Sequence, residues 1–469
     1  MKFSPGDQRA FARLSGDFNP IHVDPAAARL TAVGEPIVHG LHALLRTLDQ
    51  HFSRTSPPST IAARFERPII VGDTVQAVRT SPTTVALTLD GDLSLATISV
   101  ERLRSSQDDV PRLAAGRGSK RSSVKPAAWT LADIGDASGV VTLNQSNAIA
   151  RMFPRASRAF GVESIRALAA ISRLVGMECP GRDSLLSALS LRVDRTNAGK
   201  HLQWRVARVD RRFALVRIDV DGGGVNGIVD AFLRPSPVAL PSWASVAAAV
   251  RAEEFAGQRA LVVGGSRGLG AATAQLIAAG GGATLATFAA GKTEASTLRR
   301  TAARAGFKLE VVRFDVTRDS AKLLNKVCKR FRPTHLYYFA TPRIFGRRRD
   351  PFDAEQFRIF ADFYVERFAE VCRAAIDAVP TLDVFYPSTT GLGADAVREL
   401  TEYTAAKAAG EALCTSMNAS IPGLRIAVRR LPRVATDQTA TMLPIGSANP
   451  INTMIPILRE LHRRGETGR

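Results

Sequence analysis

One long helix followed by several strands is written twice in the first half of this 469-residue chain. Residues 40–52 read as a helix with Leu41, Leu44, Leu45 and Leu48 on one face. Extended, β-rich segments follow at 59–65, 73–79, 84–89 and 93–100. The second copy has a helix pattern at 164–175 and strand patterns at 185–193, 202–209, 213–220 and 227–233. A tandem α+β unit with antiparallel strands is the architecture this order predicts. From about residue 257 strand and helix patterns alternate, which predicts a parallel α/β sheet. A polar stretch at 105–126 and a proline-containing one at 235–257, which ends in an Ala-rich helix-like piece, read as linkers and leave three blocks, 1–105, 127–236 and 257–445, plus a basic tail.

Composition narrows the class. The chain is 45% hydrophobic and 23% charged, as in ordinary globular proteins, which excludes a disordered or fibrous one. Its four cysteines are scattered, with no CxxC pair and few histidines nearby. That argues against a disulfide framework and a metal site, and suits a reducing cytosol. The N-terminus is polar and no apolar run approaches the roughly 18 residues of a membrane helix. The expectation is a soluble, cytoplasmic protein without membrane insertion. Lys plus Arg exceeds Asp plus Glu by 63 to 43, a net charge of +20. Such a surplus attracts anions. No zinc-finger, basic-zipper or aromatic RNA-binding pattern accompanies it, so nucleic acid is not the expected partner.

The most informative short segment is Phe11-Ala12-Arg13-Leu14-Ser15-Gly16-Asp17-Phe18-Asn19-Pro20-Ile21-His22. Pro20 lacks an N–H and has a fixed φ, so a turn is expected at Asn19-Pro20. Such a turn can bring Asp17 and His22 to one cavity, where a carboxylate and an imidazole can hold a water and move its proton.

This segment resembles the MaoC-like, (R)-specific enoyl-thioester hydratase family of the hotdog fold. Phe11, Ser15, Gly16, Asp17, Asn19, Pro20, His22 and Ala28 match the family pattern. The resemblance continues through 36–40, 65–68 and 71–73. It implies that Asp17 and His22 are the catalytic pair, adding water to or removing it from a 2-enoyl thioester. Asn19 and Gly40 are the expected oxyanion or substrate contacts, Gly40 through its backbone N–H at the start of the central helix. His39 and His42 are expected to serve packing or the surface. The second block lacks the loop, and by analogy with double-hotdog hydratases it is expected to be a degenerate hotdog domain that widens the acyl-chain tunnel.

In the third block, the strand pattern 259–263 runs into Gly264-Gly265-Ser266-Arg267-Gly268-Leu269-Gly270 and then a helix. A Gly-rich turn at that place lets a pyrophosphate approach the backbone and the helix N-terminus. Tyr403 and Lys407 stand at i and i+4, on one helix face, where an ammonium would lower the phenol pKa. The block resembles the short-chain dehydrogenase/reductase family. The resemblance implies a Rossmann-type domain, Ser388, Tyr403 and Lys407 as the catalytic set, and cofactor contacts from Gly264, Ser266, Arg267, Gly268, Leu269, Gly270, Asp315, Val316, Tyr403 and Lys407. No acidic residue ends the second strand at 287–290, and Arg267 and Lys292 can face a 2′-phosphate, so NADP(H) is expected over NAD. Three positions depart from the family pattern: Phe339-Ala340-Thr341-Pro342, Tyr364 and Pro432-Arg433.

The expected protein is therefore multidomain, an α+β double hotdog followed by an α/β Rossmann-type domain. Its expected activity is two consecutive steps: reduction of a 3-oxoacyl thioester and dehydration of the (R)-3-hydroxyacyl product, or the reverse hydration. The alternative is a monofunctional hydratase with a structural nucleotide-binding half. The expected substrate is acyl-CoA or acyl carrier protein, with Arg343 and Arg347 to Arg349 as a docking cluster, and a homodimer is left open.

Overall fold

The computed structural model describes residues 1–31, 33–54, 59–102, 125–194, 199–344, 352–393, 400–439 and 446–467. The expected docking arginines Arg347, Arg348 and Arg349 and most of the first linker lie outside the described residues. The fold divides into two compact units, Met1–Ser236 and Pro237–Ala440 with Ile445–Arg469.

The first unit is one nine-stranded sheet. Its strands are β1 (Ser59–Phe65), β2 (Val75–Ser81), β3 (Thr84–Leu89), β4 (Leu93–Arg102), β5 (Ser138–Thr142), β6 (Ser184–Val193), β7 (His201–Asp210), β8 (Leu215–Gly222) and β9 (Val225–Leu233). Their order is β2-β3-β4-β1-β6-β9-β8-β7-β5. The two sequence copies meet at the antiparallel pair β1–β6, with Ile61 opposite Leu191 and Ala63 opposite Leu189. The first two blocks thus share one sheet and one core. The helices Gly40–His51 and Val162–Arg173 pack on it side by side. Leu41, Leu44, Leu45 and Leu48 of the first and Ile165, Leu168 and Ile171 of the second are buried, as two amphipathic stripes facing a single sheet must be. This is the double-hotdog arrangement. The second central helix ends in a π-helical turn, Leu174–Glu178.

The second unit has six parallel strands: β10 (Arg259–Val263), β11 (Ala283–Phe288), β12 (Leu309–Arg313), β13 (His335–Tyr338), β14 (Leu382–Thr389) and β15 (Leu424–Leu431). Their order, β12-β11-β10-β13-β14-β15, is the doubly wound one, which opens a crevice at the strand C-termini where the order reverses beside β10. Two segments read as linker and tail belong to this unit. Trp243–Ala249 is a helix capped by Ser242, and its Val246 is buried. Pro450–Thr467 is a helix that buries Met454, Leu458 and Leu461. Apolar residues spaced on one helix face bury surface in spite of polar, basic surroundings. No described helix is long and apolar enough to cross a membrane.

Candidate functional site

The helix Pro5–Ser15 stops at Gly16, whose φ of +79° turns the chain inward. Asp17 follows, 2% exposed, its N–H bonded to Ser15 Oγ at 3.1 Å. Asn19 then caps a single turn, Pro20–Val23, by accepting the Ile21 N–H at 3.2 Å. Pro20 opens that turn, where a missing N–H costs nothing. The result sets His22 Nε2 4.0 Å from Asp17 Oδ2.

The second half of the sheet completes this loop. Ser172 Oγ donates to Asp17 Oδ2 at 2.7 Å. The Asn19 amide donates to the carbonyls of Gly176, Gly181 and Arg182 at 3.0, 3.3 and 3.1 Å. This corrects the expectation that Asn19 contacts substrate: both ends of its amide are committed, and it positions the loop. The second half of the sheet is thus the wall against which the loop is fixed. Gly176 shows how close that wall stands, since a Cβ there would lie 2.3 Å from Asp17 Oδ1. Gly176→Ala is expected to displace the carboxylate and cost about 1–3 kcal/mol of stability by overpacking. Thermal melts of the full chain, with hydration assays, check this.

His39 reaches the same carboxylate, contrary to the packing role expected of it. It is fully buried, its Nε2 is 3.9 Å from Asp17 Oδ2 and 3.1 Å from the Asp17 carbonyl, and its ring stacks on His22 with centroids 3.8 Å apart. His42 does pack: it stacks on Phe11 and bonds Gln8, and burial pulls its pKa down to about 4. Gly40 is the first residue of the central helix, so its N–H has no acceptor within that helix and can serve an incoming oxyanion. A Cβ at Gly40 would meet Leu186 at 3.0 Å and the Phe65 ring at 3.3 Å.

Burial pushes the Asp17 carboxyl above the ordinary carboxylate range, against the opposing pull of His22, Ser172 and the Asn19 N–H. Burial likewise lowers His22, against Asp17 and the Ile37 carbonyl. His22 Nδ1 lies 2.8 Å from Ile37 O, which can only accept, so the neutral ring carries its hydrogen on Nδ1 and presents a bare Nε2 toward Asp17. A proton acceptor and a carboxyl with raised affinity for protons therefore face one another. Elsewhere in this unit, Cys179 is fully buried and its pKa is pushed up to about 12 by burial, while Glu178 pairs with Arg173 and Asp183 accepts from Ser236.

In the second unit the Gly-rich turn closes against β11 through Gly264 N–H to Thr287 Oγ1 at 3.2 Å and Gly265 N–H to Thr287 O at 2.9 Å. Gly264 has φ +78° and a Cβ there would sit 2.8 Å from Ala340 N. A Cβ at Gly270 would sit 2.4 Å from Gly264 O. At both positions a side chain would collide with the chain's own backbone, so only glycine lets the turn close this tightly between strand and helix. Gly268 and Leu269 open the helix Gly268–Ala279, Ser266 is buried, and Arg267 Nη1 lies 3.8 Å from Asp437 Oδ2. Asp315 and Val316 follow β12, and Asp315 Oδ1 accepts from the Thr317 N–H and hydroxyl at 3.0 and 2.8 Å.

Tyr403 and Lys407 lie on the helix Thr401–Ser420. Lys407 Nζ donates to Pro387 O at 2.7 Å and stands over the ring of Tyr364 at 3.8 Å. Here burial overrides the expected lowering of the phenol: it pushes Tyr403 up to about 12 and pulls Lys407 down to about 7. The Lys407 ammonium stands 5.9 Å from the Tyr403 ring centre and spends a hydrogen bond on the Pro387 carbonyl. Ser388 is turned away from Tyr403 and donates to Glu411, which Arg430 holds at 2.8 and 2.9 Å. The hydroxyl that pulls the Tyr403 phenol down against burial belongs to the next residue, Thr389, whose Oγ1 also accepts the Gly391 N–H at 3.1 Å. Side chains of neighbouring strand residues point to opposite faces, so a one-residue choice decides which hydroxyl serves the site. Thr389→Ala is expected to lower reduction by about tenfold to a hundredfold, the cost of one polar contact of roughly 1.4–2.7 kcal/mol. Ser388→Ala should have less than a fifth of that effect on kcat, measured in the same assay.

Sequence reasoning missed His39, Ser172, Gly176, Thr389 and Glu411. Only His39 had a local signal, its place directly before Gly40.

The chain is similar to known proteins over parts of its length. Residues 1–82 match the MaoC like domain family, and residues 260–442 match the NAD dependent epimerase/dehydratase family. The (R)-specific enoyl-CoA hydratase of Aeromonas caviae is 40% identical over 82 residues, which is 16% of this chain and 60% of that protein. The peroxisomal hydratase-dehydrogenase-epimerase of Saccharomyces cerevisiae is 34% identical over 103 residues, 22% of this chain and 11% of that one. The chain thus spans about a tenth of the yeast relative and three fifths of the bacterial one. A short chain dehydrogenase structure from Salmonella enterica covers 45% of this chain and 92% of its own at 15% identity and a TM-score of 0.40. The chain carries a MaoC-like domain at its N-terminus, followed by a Rossmann-type parallel-sheet domain that matches the NAD dependent epimerase/dehydratase family.

Proposed function

We propose that this chain is a bifunctional acyl-thioester enzyme that reduces a 3-oxoacyl thioester with NADPH and dehydrates the (R)-3-hydroxyacyl product to the 2-enoyl thioester. The observation that carries the reading is the bare His22 Nε2 facing the buried Asp17 carboxyl at 4.0 Å. In hydration, a water between them passes one proton to the pair as its oxygen adds to C3. The pair returns a proton to C2, and charge on the thioester oxygen meets the Gly40 N–H. Dehydration is the reverse, with the C2 proton and the C3 hydroxyl leaving as water. We assign this step to residues 1–105, supported by 127–236, and reduction to 257–445.

A bound nicotinamide dinucleotide supplies the hydride for reduction. The turn at Gly264, Gly268 and Gly270, with Ser266 and Leu269, receives its pyrophosphate, and Asp315 and Val316 take its adenine edge. Arg267 and Lys292 favour the 2′-phosphate of NADP(H), since no acid ends β11 to select NAD. Tyr403 protonates the ketone oxygen, Thr389 holds that oxygen, and Lys407 sets the ribose. The substrate is carried on CoA or an acyl carrier protein, whose anionic groups suit a net charge of +20. Four free, buried cysteines suit a reducing cytoplasm.

A second reading, nucleotide binding without turnover beside a monofunctional hydratase, draws support from the capture of Ser388 by Glu411. Product mass separates the two when the chain is mixed with NADPH and a 3-oxoacyl thioester. A gain of two hydrogens and then loss of water supports the bifunctional reading. An unchanged oxo substrate, with hydration of the enoyl thioester, overturns it in favour of the second. No reaction with either substrate overturns both.

A further inference from the structure

Lys407 is buried without an acid to itself. Glu411 stands four residues on, along the same helix face, where it could meet the ammonium. It is taken instead by Arg430 of β15, at 2.8 and 2.9 Å, and by the Ser388 hydroxyl. Cys414, a turn further, has its thiol pushed up to about 12 by burial and brings no charge at neutral pH. An ammonium carries three N–H donors and no acceptor. One of them goes to the Pro387 carbonyl at 2.7 Å, and no other hydrogen bond reaches Lys407 among the described residues.

What surrounds the charge is aromatic. Nζ lies 3.8 Å from the ring centre of Tyr364, 4.9 Å from that of Tyr386 and 5.9 Å from that of Tyr403. A ring face attracts a cation within about 6 Å, more strongly where water is excluded. Lys407 is 5% exposed and Tyr364 1%. Burial keeps all three phenols protonated at neutral pH.

The placing of the nearest ring has identifiable causes. Between the helices Ala354–Ala361 and Arg367–Ile376 the chain makes a π-helical turn, Asp362–Glu366, with Tyr364 at its middle. Such turns concentrate at functional sites. The Tyr364 hydroxyl bonds Thr341 Oγ1, and the Tyr364 carbonyl accepts the Tyr386 hydroxyl at 3.2 Å. Gly410, one turn beyond Lys407, leaves room for this, since a Cβ there would lie 1.9 Å from Tyr386 Oη and 2.9 Å from Tyr364 O. With its hydroxyl spent on Thr341, Tyr364 offers Lys407 only its face. Two of the departures from the family pattern, at Thr341 and Tyr364, thus meet at one contact.

We propose that Tyr364 is a positioning residue of the reductase half: its ring face, rather than a carboxylate or an amide, holds the Lys407 ammonium beside Tyr403. One ammonium hydrogen stays free for a ribose hydroxyl. The positioning role rests on the reductase reading given above; the contact does not.

The test follows Lys407 by NMR in the full chain labelled with [ε-¹³C]lysine, its signal identified by loss in Lys407→Arg. Burial pulls Lys407 down to about 7, so its midpoint falls within a neutral titration. Tyr364→Phe is compared with chains carrying mono-, di- and trifluorophenylalanine at position 364. Fluorine drains charge from the ring face and nearly preserves its shape. The midpoint should fall stepwise, by about 0.5–1.5 pH units from Phe to the trifluoro ring. The alkaline limb of kcat for reduction should move with it. In the wild-type chain, which needs no substitution at 364, the Lys407 ε-protons should stand upfield of those of the other lysines through the ring current. An unshifted wild-type signal, or one midpoint across the folded series, overturns the proposal. A midpoint that falls while the kcat limb stays in place overturns the positioning role. A falling midpoint in a chain that never reduces 3-oxoacyl thioesters supports the contact while refuting the reductase reading.

Discussion

Asp17→Asn is expected to lower hydration and dehydration by about a hundredfold to ten-thousandfold while leaving NADPH-dependent reduction unchanged. Asparagine keeps the shape of the side chain and an oxygen to accept the Ser172 hydroxyl or the Asn19 N–H, so the loop has reason to stay in place. What it lacks is a group that gains or releases a proton. The stability effect has the opposite sign to the activity effect. Burial raises the Asp17 pKa in the folded chain above its unfolded value. A carboxyl so shifted costs nothing below the unfolded pKa, where it is protonated in both states. It costs most above the folded pKa, where the native state must hold a buried charge. At neutral pH and above, the neutral amide should therefore leave the melting temperature equal or higher. A variant that lost activity and melted early would instead mean that the carboxylate is a structural anchor. Hydration rates with a 2-enoyl-CoA and calorimetry on the same preparation decide between these.

Tyr403→Phe is the complementary experiment. It removes the hydroxyl proposed to protonate the ketone while keeping the ring against Phe360 and Tyr364. Reduction should fall about a hundredfold to ten-thousandfold and hydration should persist. In the wild-type chain, the pH dependence of reduction follows from Lys407, pulled down to about 7 by burial. The ammonium that favours phenolate is present below that value and is lost as pH rises through it, so kcat for reduction should decline on the alkaline side. A flat profile from pH 6 to 9 would show that Lys407 keeps its charge throughout, held by the three tyrosine rings around it. Together the two variants should each silence one half-reaction, which a chain with one working site cannot do.

The elements were largely legible because their signals are local. The helix at Gly40–His51 follows from four leucines on one stripe, and the strand pairs from runs of alternating residues. The strand β5 was not, since Ser138–Thr142 is a short edge segment with too few residues to show a period. The helix Trp243–Ala249 was only half legible. Flanking prolines and small residues read as a linker, while burial of Val246 in the second unit makes it part of a core.

Asp17 and His22 are five positions apart, Gly264 to Gly270 form one turn, and Tyr403 and Lys407 are one helical turn apart. Spacing of that kind acts through bonds and backbone geometry over a few residues, so the sequence by itself determined these groupings. The rest was settled by the tertiary structure. Ser172 meets Asp17 from 155 residues away because the pairing of β1 with β6 sets the second central helix beside the loop. Pairing in a sheet spans any chain distance and leaves no local trace. The carbonyls that take up the Asn19 amide come from the same wall, which turned an expected substrate contact into a brace. On β14, register alone turned Ser388 toward Glu411 and set Thr389 beside Tyr403. Burial, which depends on every packed neighbour at once, then decided how tightly Asp17, Tyr403 and Lys407 hold their protons.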